Sequence, residues 1–426
     1  MAAGAWQLLK KNTFLPIFLT QFFGAFNDNA FKLAILTLVS YYLSVSQVQS
    51  EKYQIIAGIL FISPFFLLSA TAGQLADKYD KARMTRLIKL FEIVLVSIGG
   101  IGFYYGNVWM LMITLLCMGV HSTFFGPIKY AILPDHLPAN ELLAATGLVE
   151  GSTFMAILLG TTLGALSIGG TGVGSVYAIS LTFMVAVAGF IASFFIPPAP
   201  PVVSTLQVDW HVWRATHNMI KDVMFNKQIM PVIFSISWFW LIGAVLLTKL
   251  PDYTNYVLHA KTTVFAVFLA LFSIGIAVGS ITINRLLQRE IKVRFVPYAM
   301  LALSLFTCDL YWATPLASNI TVQPLLEFFS QFAHLRIAAD LFLLAFCGGL
   351  YVVPLYTYLQ ITSDQGMRAR TIAANNIFNA LFIVVGVILV SVLLYLHIVI
   401  PQVFFIVGIL NMIAALVLWF FFRKFA

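Results

Sequence analysis

Asp28 and Lys32 stand four residues apart in AFNDNAFK (25–32), with Asn27 and Asn29 on either side of the aspartate and an apolar run around them. Lys129 follows a proline in GPIKYAIL, and Glu150 opens GLVEGSTFMAILLG. An ionised side chain at membrane depth costs at least ~2.5–3.5 kcal/mol on insertion scales, so such groups usually face a partner or a wet cavity. Asp28 between the Asn27 and Asn29 amides reads as a hydrated polar patch facing a cavity, Lys129 as a site for an anionic group such as a phosphate, and Glu150 as a candidate for substrate binding. Each has a plainer alternative. Asp28 and Lys32 have the i, i+4 spacing of an intrahelical ion pair. Lys129 can snorkel to the surface. Glu150 can pair with Lys129, or with Asn27 or Asn29. His121 reads as an ordinary polar helix contact before a proton relay. Enzyme chemistry is not expected. The nearest approach to the His-x4-Asp pair with which a membrane acyltransferase deprotonates an acceptor hydroxyl is HLPANE (136–141), where the acid is a glutamate, one methylene longer than aspartate, and no accompanying motif is present. Cys117, Cys308 and Cys347 lie in apolar segments without CxxC spacing and read as small buried hydrophobes, so neither metal nor cofactor is expected.

The elements that must position these residues are membrane helices. Of 426 residues 61% are hydrophobic and 9% charged, against about 25% charged in a soluble domain; mean hydropathy is +0.95. Apolar runs long enough to span a bilayer fall near 13–43, 53–76, 86–106, 108–132, 143–169, 174–196, 229–257, 262–287, 295–314, 338–361, 371–396 and 400–422, which predicts an all-α membrane protein of twelve transmembrane helices. With the N-terminus inside, eighteen Lys and Arg, Lys89, Arg368 and Arg370 among them, fall in the cytoplasmic loops, and only Lys52, Lys261 and Arg336 in the opposite ones. Both termini are therefore expected in the cytoplasm. That bias accounts for the +8 net charge without a nucleic-acid partner. No cleavable signal peptide follows Lys10 and Lys11.

The one long polar connection, 197–228, opens with Pro197–Pro201 and separates a first six-helix half (1–196) from a second (229–426). Trp210, Trp213, His217, Ile220 and Met224 share a helical face there, as in a helix lying on the inner leaflet. Gly73 and Gly279 hold matching places after spans two and eight. Pro127 and Gly147 match Pro354 and Ala374 across the span 4–5 and 10–11 turns, once an extra loop near 315–336 is allowed for. The halves are thus expected to be pseudo-symmetric repeats, with Tyr356 opposite Lys129 and Ile377 opposite Glu150. The internal charges belong to the first half. Lys249 is expected to pair with Asp252, and Arg336 with Asp340. Asn375, Asn376 and Asn379 form a polar stripe able to line a path. Gly147 with Gly151, and Gly160 with Gly164, offer small-residue faces for close helix packing.

The loop GQLADKYDKAR (73–83) resembles the signature of the major facilitator superfamily: a glycine, then an aspartate followed by bases. Gly73 would permit close helix approach and Asp77 would cap a helix end or bond to the opposite half. Lys78, Lys81 and Arg83 would hold the loop at the anionic surface, the whole serving as a gate. Asp80 and Ala82 depart from the superfamily pattern, which has glycine and commonly a base there. Further stretches, FGAFNDNAFK, FFGPIKYAILP, GLVEGSTFMAILLG, SWFWLIGAVLLTKLP and GLYVVPLYTYLQ, are similar to the bacterial lysophospholipid transporters. More closely still, they resemble the transporter portion fused elsewhere to acyltransferase and acyl-carrier-protein synthetase domains. The resemblance implies a flippase moving lysophospholipids such as lysophosphatidylethanolamine across the bacterial inner membrane for reacylation by such an enzyme. It places Asp28 on the family's span-one aspartate and Lys129 on its Pro-x-Lys-Tyr lysine. The arginine that some members carry on span seven has no counterpart here. No fused enzyme domain is expected beyond Arg423. The rival expectation on the same fold is a proton-coupled exporter of a soluble drug or siderophore, with Asp28 and Glu150 as protonation sites.

Overall fold

The computed structural model describes residues 5–169, 172–288, 290–315 and 322–423. Among them, helices of spanning length are α1 (Leu15–Leu38), α2 (Gln47–Lys78), α3 (Lys81–Tyr105), α4 (Val108–Ala131), α5 (Ala139–Ile168) and α6 (Val176–Phe194). The amphipathic α7 (Val212–Phe225) follows. Then come α8 (Met230–Asp252), α9 (Thr262–Leu286), α10 (Val296–Ala313), α11 (Phe332–Thr362), α12 (Arg368–Tyr395) and α13 (Ile400–Phe422). Eleven of these are long and apolar enough to cross a membrane. The twelfth, α1, has 24 residues, but Gln21, Asn27, Asp28, Asn29 and Lys32 lower its hydropathy.

The ends of the helices follow from their capping residues. Ser46, Asp80, Asn107 and Ser175 each accept a hydrogen bond from a backbone N–H of the first turn of α2, α3, α4 and α6, satisfying donors the helix leaves open. Gly106, at φ 64°, ends α3 in the left-handed region that a side chain resists.

Two compact units result. The first comprises Met1–Met230 with Leu359–Ile377, the second Pro231–Tyr358 with Phe378–Ala426. In the first, α1 packs along α5 and α6, α2 along α4, and α3 against α4 and α6. Gly160 and Gly164 let α5 lie directly on α1, where a Cβ would run into the backbone at Phe26 and Ala30. In the second, α10 packs along α13, and Gly275, Gly279 and Gly349 bring α9 and α11 backbone to backbone.

The linker helix α7 packs by the face opposite the one that carries Trp213, His217, Ile220 and Met224. The stripe it buries, against α2, is Ala215, Met219 and Val223; Trp210 and Trp213 stay 70% exposed. Asp209, just before α7, donates its N–H to Gln74 at 2.7 Å, and the Arg214 guanidinium holds its carboxyl down at about 2.

Candidate functional site

The middle of the first unit holds a cluster of buried charge built by three helices. On α3, Lys89 and Glu92 are three residues apart and so share a face. The Lys89 ammonium donates to Glu92 at 2.7 Å, with both side chains at most 1% exposed. From α1, the Asn27 amide donates to the other Glu92 oxygen at 2.7 Å. From α4, His121 Nε2 lies 3.3 Å from Glu92 Oε2 and His121 Nδ1 lies 3.7 Å from Asp28 Oδ1, while Ser122 donates to Asp28. Lys89 also sits 5.1 Å from the centre of the Phe125 ring. Gly24 on α1 makes room for it, since a Cβ there would meet the ammonium. Asp28 is the accessible member, its side chain 16% exposed.

Lys89 therefore does not belong to the loop bases with which its position grouped it. It is a buried, paired charge, and Glu92 is the partner that sequence reading passed over. The signal was present: IKLFEIVLV carries two charges inside an apolar run, the same anomaly that singled out Asp28 and Lys129. His121 is more than an ordinary polar contact, because it stands between two carboxylates.

The expected residues are brought together only in part. Asp28 and Lys32 do not reach ion-pair distance; Lys32 instead lies 5.3 Å from the centre of the Phe61 ring. Asn29 donates to the Ala25 carbonyl of its own helix, and Asn27 goes to Glu92, so neither amide meets Glu150. Glu150 is fully buried. It accepts from the Tyr130 hydroxyl, and its second oxygen has no hydrogen-bond partner. Lys129 has no ion pair within 4 Å among the described residues, and its ammonium lies 4.7 Å from the centre of the Tyr130 ring.

A second polar cluster gathers at helix ends of the same unit. Asp77 accepts from the backbone N–H groups of Ala369 and Arg370 at 3.0 and 3.2 Å and from the Arg370 guanidinium at 3.0 Å, capping α12 where its donors are open. Gly73 allows the approach: a Cβ there would lie 2.8 Å from Ala373 Cβ and 2.9 Å from Arg370 Cα. Lys81 pairs with Asp135 at 2.9 Å, and Arg368 reaches the same carboxylate at 3.2 Å. Lys78 lies 5.6 Å from the centre of the Tyr79 ring; Arg83 is exposed. Asp80 earns its departure from the superfamily pattern by capping α3 at Arg83 and accepting from the Ala199 N–H, both at 2.8 Å. Beside this cluster, burial holds the His136 imidazole below its ordinary range.

The second unit is arranged differently. Tyr356 accepts from Trp240 at 2.9 Å and from Asn379 at 3.3 Å, and Asn379 accepts from Ser237 at 2.8 Å. Asn411 ties Trp238 to Met300 and Ser304 at 2.9–3.0 Å. Lys249 and Asp252 pair at 3.1 Å as expected. Arg336 does not pair with Asp340; its guanidinium grips Asp309 on α10 with two hydrogen bonds, one at 2.8 Å. Two parallel bonds to a carboxylate outweigh a one-helix pairing. Asn375, buried on the part of α12 that belongs to the first unit, has neither amide atom bonded. The three cysteines are free.

The comparisons agree with this architecture. The chain is 26% identical over 386 residues to the lysophospholipid transporter LplT of Citrobacter koseri, covering 89% of this chain and 88% of that protein. The Salmonella newport protein of the same name is also 26% identical, over 387 residues and with the same coverage. In three dimensions the chain superposes on the human organic anion transporter MFSD10 with a TM-score of 0.74 at 13% identity, over 95% of this chain and 99% of that one. It superposes on the proton:xylose symporter XylE with a TM-score of 0.71 at 13% identity, over 98% and 96%. The sequence profile of the Major Facilitator Superfamily matches residues 17–387. This multi-pass membrane protein belongs to the Major Facilitator Superfamily.

Proposed function

We propose that this protein is a lysophospholipid transporter of the bacterial inner membrane, a flippase delivering lysophospholipids such as lysophosphatidylethanolamine to the cytoplasmic leaflet. There a separate acyltransferase or acyl-carrier-protein synthetase would reacylate them. The observation that carries this reading is Lys129: a cation within a spanning helix that has no ion pair within 4 Å among the described residues, in the unit that also offers the partly exposed Asp28 carboxylate. A phosphoethanolamine head group carries the two complementary charges, its phosphate suited to Lys129 and its ammonium to Asp28. The resemblance to the LplT proteins supports the same substrate class. Glu150, held by Tyr130, sets the field around Lys129. The Asp77–Arg370 and Lys81–Asp135–Arg368 pairs, with Gly73, Lys78 and Arg83, serve as the gate, and both termini lie in the cytoplasm.

The test uses proteoliposomes carrying fluorescent lysophosphatidylethanolamine in one leaflet. The parent is expected to move it, and Asp28→Asn and Lys129→Ala to abolish movement while the protein stays folded. A parent that moves no lysophospholipid would overturn the reading in favour of a soluble-substrate exporter.

A further inference from the structure

Among the described residues, His121 is the one titratable group that stands against both the sealed ion pair and the accessible carboxylate. Its neighbours account for the charge around it. From α3 come Glu92, 3.3 Å from Nε2, and Lys89, bonded to Glu92. From α1 come Asp28, 3.7 Å from Nδ1, and the neutral Asn27. The α2 helix, which packs on α4, presents uncharged Phe61 and Pro64 at the neighbouring Gly119. On its own helix stand Ser122 and Phe125. Lys32 and Lys129 act on Asp28 only through their fields; the first lies over Phe61, and the second is opposed by the negative charge of Glu150.

Within contact distance, then, the fixed charges are Lys89, Glu92 and Asp28. With His121 neutral the cluster carries one excess negative charge in a low-dielectric site; with His121 protonated it carries none. Buried charge is tolerated when it is balanced and hydrogen-bonded. Glu92 and His121 are sealed at 1% exposure, whereas Asp28 reaches outward at 16%. An ammonium arriving at Asp28 supplies the same positive charge that the imidazole proton supplies from behind it. Both together would leave the cluster one charge in excess.

We propose that His121 is a proton-binding site and that its proton and a ligand ammonium at Asp28 are mutually exclusive, so that binding of an amine-bearing lysophospholipid expels the proton to water. The inference rests on the lysophospholipid reading above and deepens it, adding an exchange of one proton for one amine. Linkage makes the effect reciprocal: the affinity for an amine-bearing ligand falls as pH drops through the range where His121 takes up its proton. A ligand without an amine is spared.

The experiment adds lysophosphatidylethanolamine or lysophosphatidylglycerol to the purified full chain in detergent micelles. The solution is weakly buffered at a series of pH values between about 5 and 8 and contains a pH-indicator dye, and binding is measured in parallel. The expected result is proton release on binding the amine-bearing lipid, none on binding the amine-free one, and binding without release in His121→Gln. If that variant does not fold, the parent carries the test alone, with affinity for the amine-bearing lipid falling about tenfold per pH unit on the acid side and the amine-free lipid insensitive. Amine-lipid binding without release, or equal release with both lipids or from His121→Gln, overturns the exchange and leaves the transporter reading standing. Failure of the parent to bind either lipid overturns that reading itself, and the exchange with it.

Discussion

The two units treat a buried polar centre in opposite ways. In the first, Lys89, Glu92, Asp28 and His121 concentrate full charges among α1, α3 and α4. In the second, Trp240, Tyr356, Asn379 and Ser237 join α8, α11 and α12 through neutral hydroxyl, indole and amide groups. Tyr356 occupies the place that the repeat alignment assigns to Lys129. A neutral network needs only its hydrogen bonds completed, and once complete it offers an incoming ligand little. A charged centre draws or repels ions over distance and can exchange one counter-charge for another. The difference teaches that the centre of the first unit is held by full charges, whereas the hydrogen-bonded centre of the second is neutral.

Mutations can break or sharpen that comparison. Lys89→Met strands the Glu92 carboxylate, and stranding one member of a buried pair costs about 3–5 kcal/mol. The variant should unfold far more readily in detergent titrations, and Lys89→Met with Glu92→Leu should recover most of the loss. A single variant as stable as the parent would mean that the pair is not closed off from water. In the second unit, Asn411→Leu removes the amide that serves Trp238, Met300 and Ser304. The same titration should show a loss of about 1–3 kcal/mol from the groups left unpaired. Tyr356→Phe should cost about 0.5–1.5 kcal/mol for one hydroxyl and leave lysophospholipid movement intact; loss of movement would place substrate in the second unit too. Lys249→Ala removes a half-exposed pair, its carboxylate 41% exposed, and should cost roughly 0–1 kcal/mol. Lys129→Ala should change stability by less than about 0.5 kcal/mol while abolishing transport. A cation kept for a ligand is missed by the ligand and not by the fold, so an unstable Lys129→Ala protein would count against its assigned role.

Much of the membrane architecture was legible from the chain alone, because spanning helices are selected one at a time by apolar length and their boundaries by local capping chemistry. The run expected at 108–132 is α4, Val108–Ala131, and that at 174–196 is α6, Val176–Phe194. Gly160 and Gly164 announced close packing, and α5 does meet α1 there. The candidate site was legible only as a set of misplaced charges. Asp28, Lys129 and Glu150 declared themselves by their cost in an apolar run, but nothing local said which would meet. Lys89 was misread for a related reason: three residues from Arg86 and near a basic loop, it looked like that loop's continuation, whereas the packing of α3 on α6 and α4 buries it.

The sequence by itself determined that this is a polytopic helical membrane protein, that its charges are unevenly shared, and that Asp28 and Lys129 need an explanation. Those are properties of composition and of short windows, where the free energy of transferring a segment into lipid sums residue by residue. Only the tertiary structure decided the partners. Glu92 lies 65 residues from Asn27, and Asp77 lies 292 from Ala369. Arg336 prefers an aspartate 27 residues away to the one a helical turn beyond it. Ion pairs are settled by proximity and by the water that packing removes, and neither quantity exists until the helices have come together.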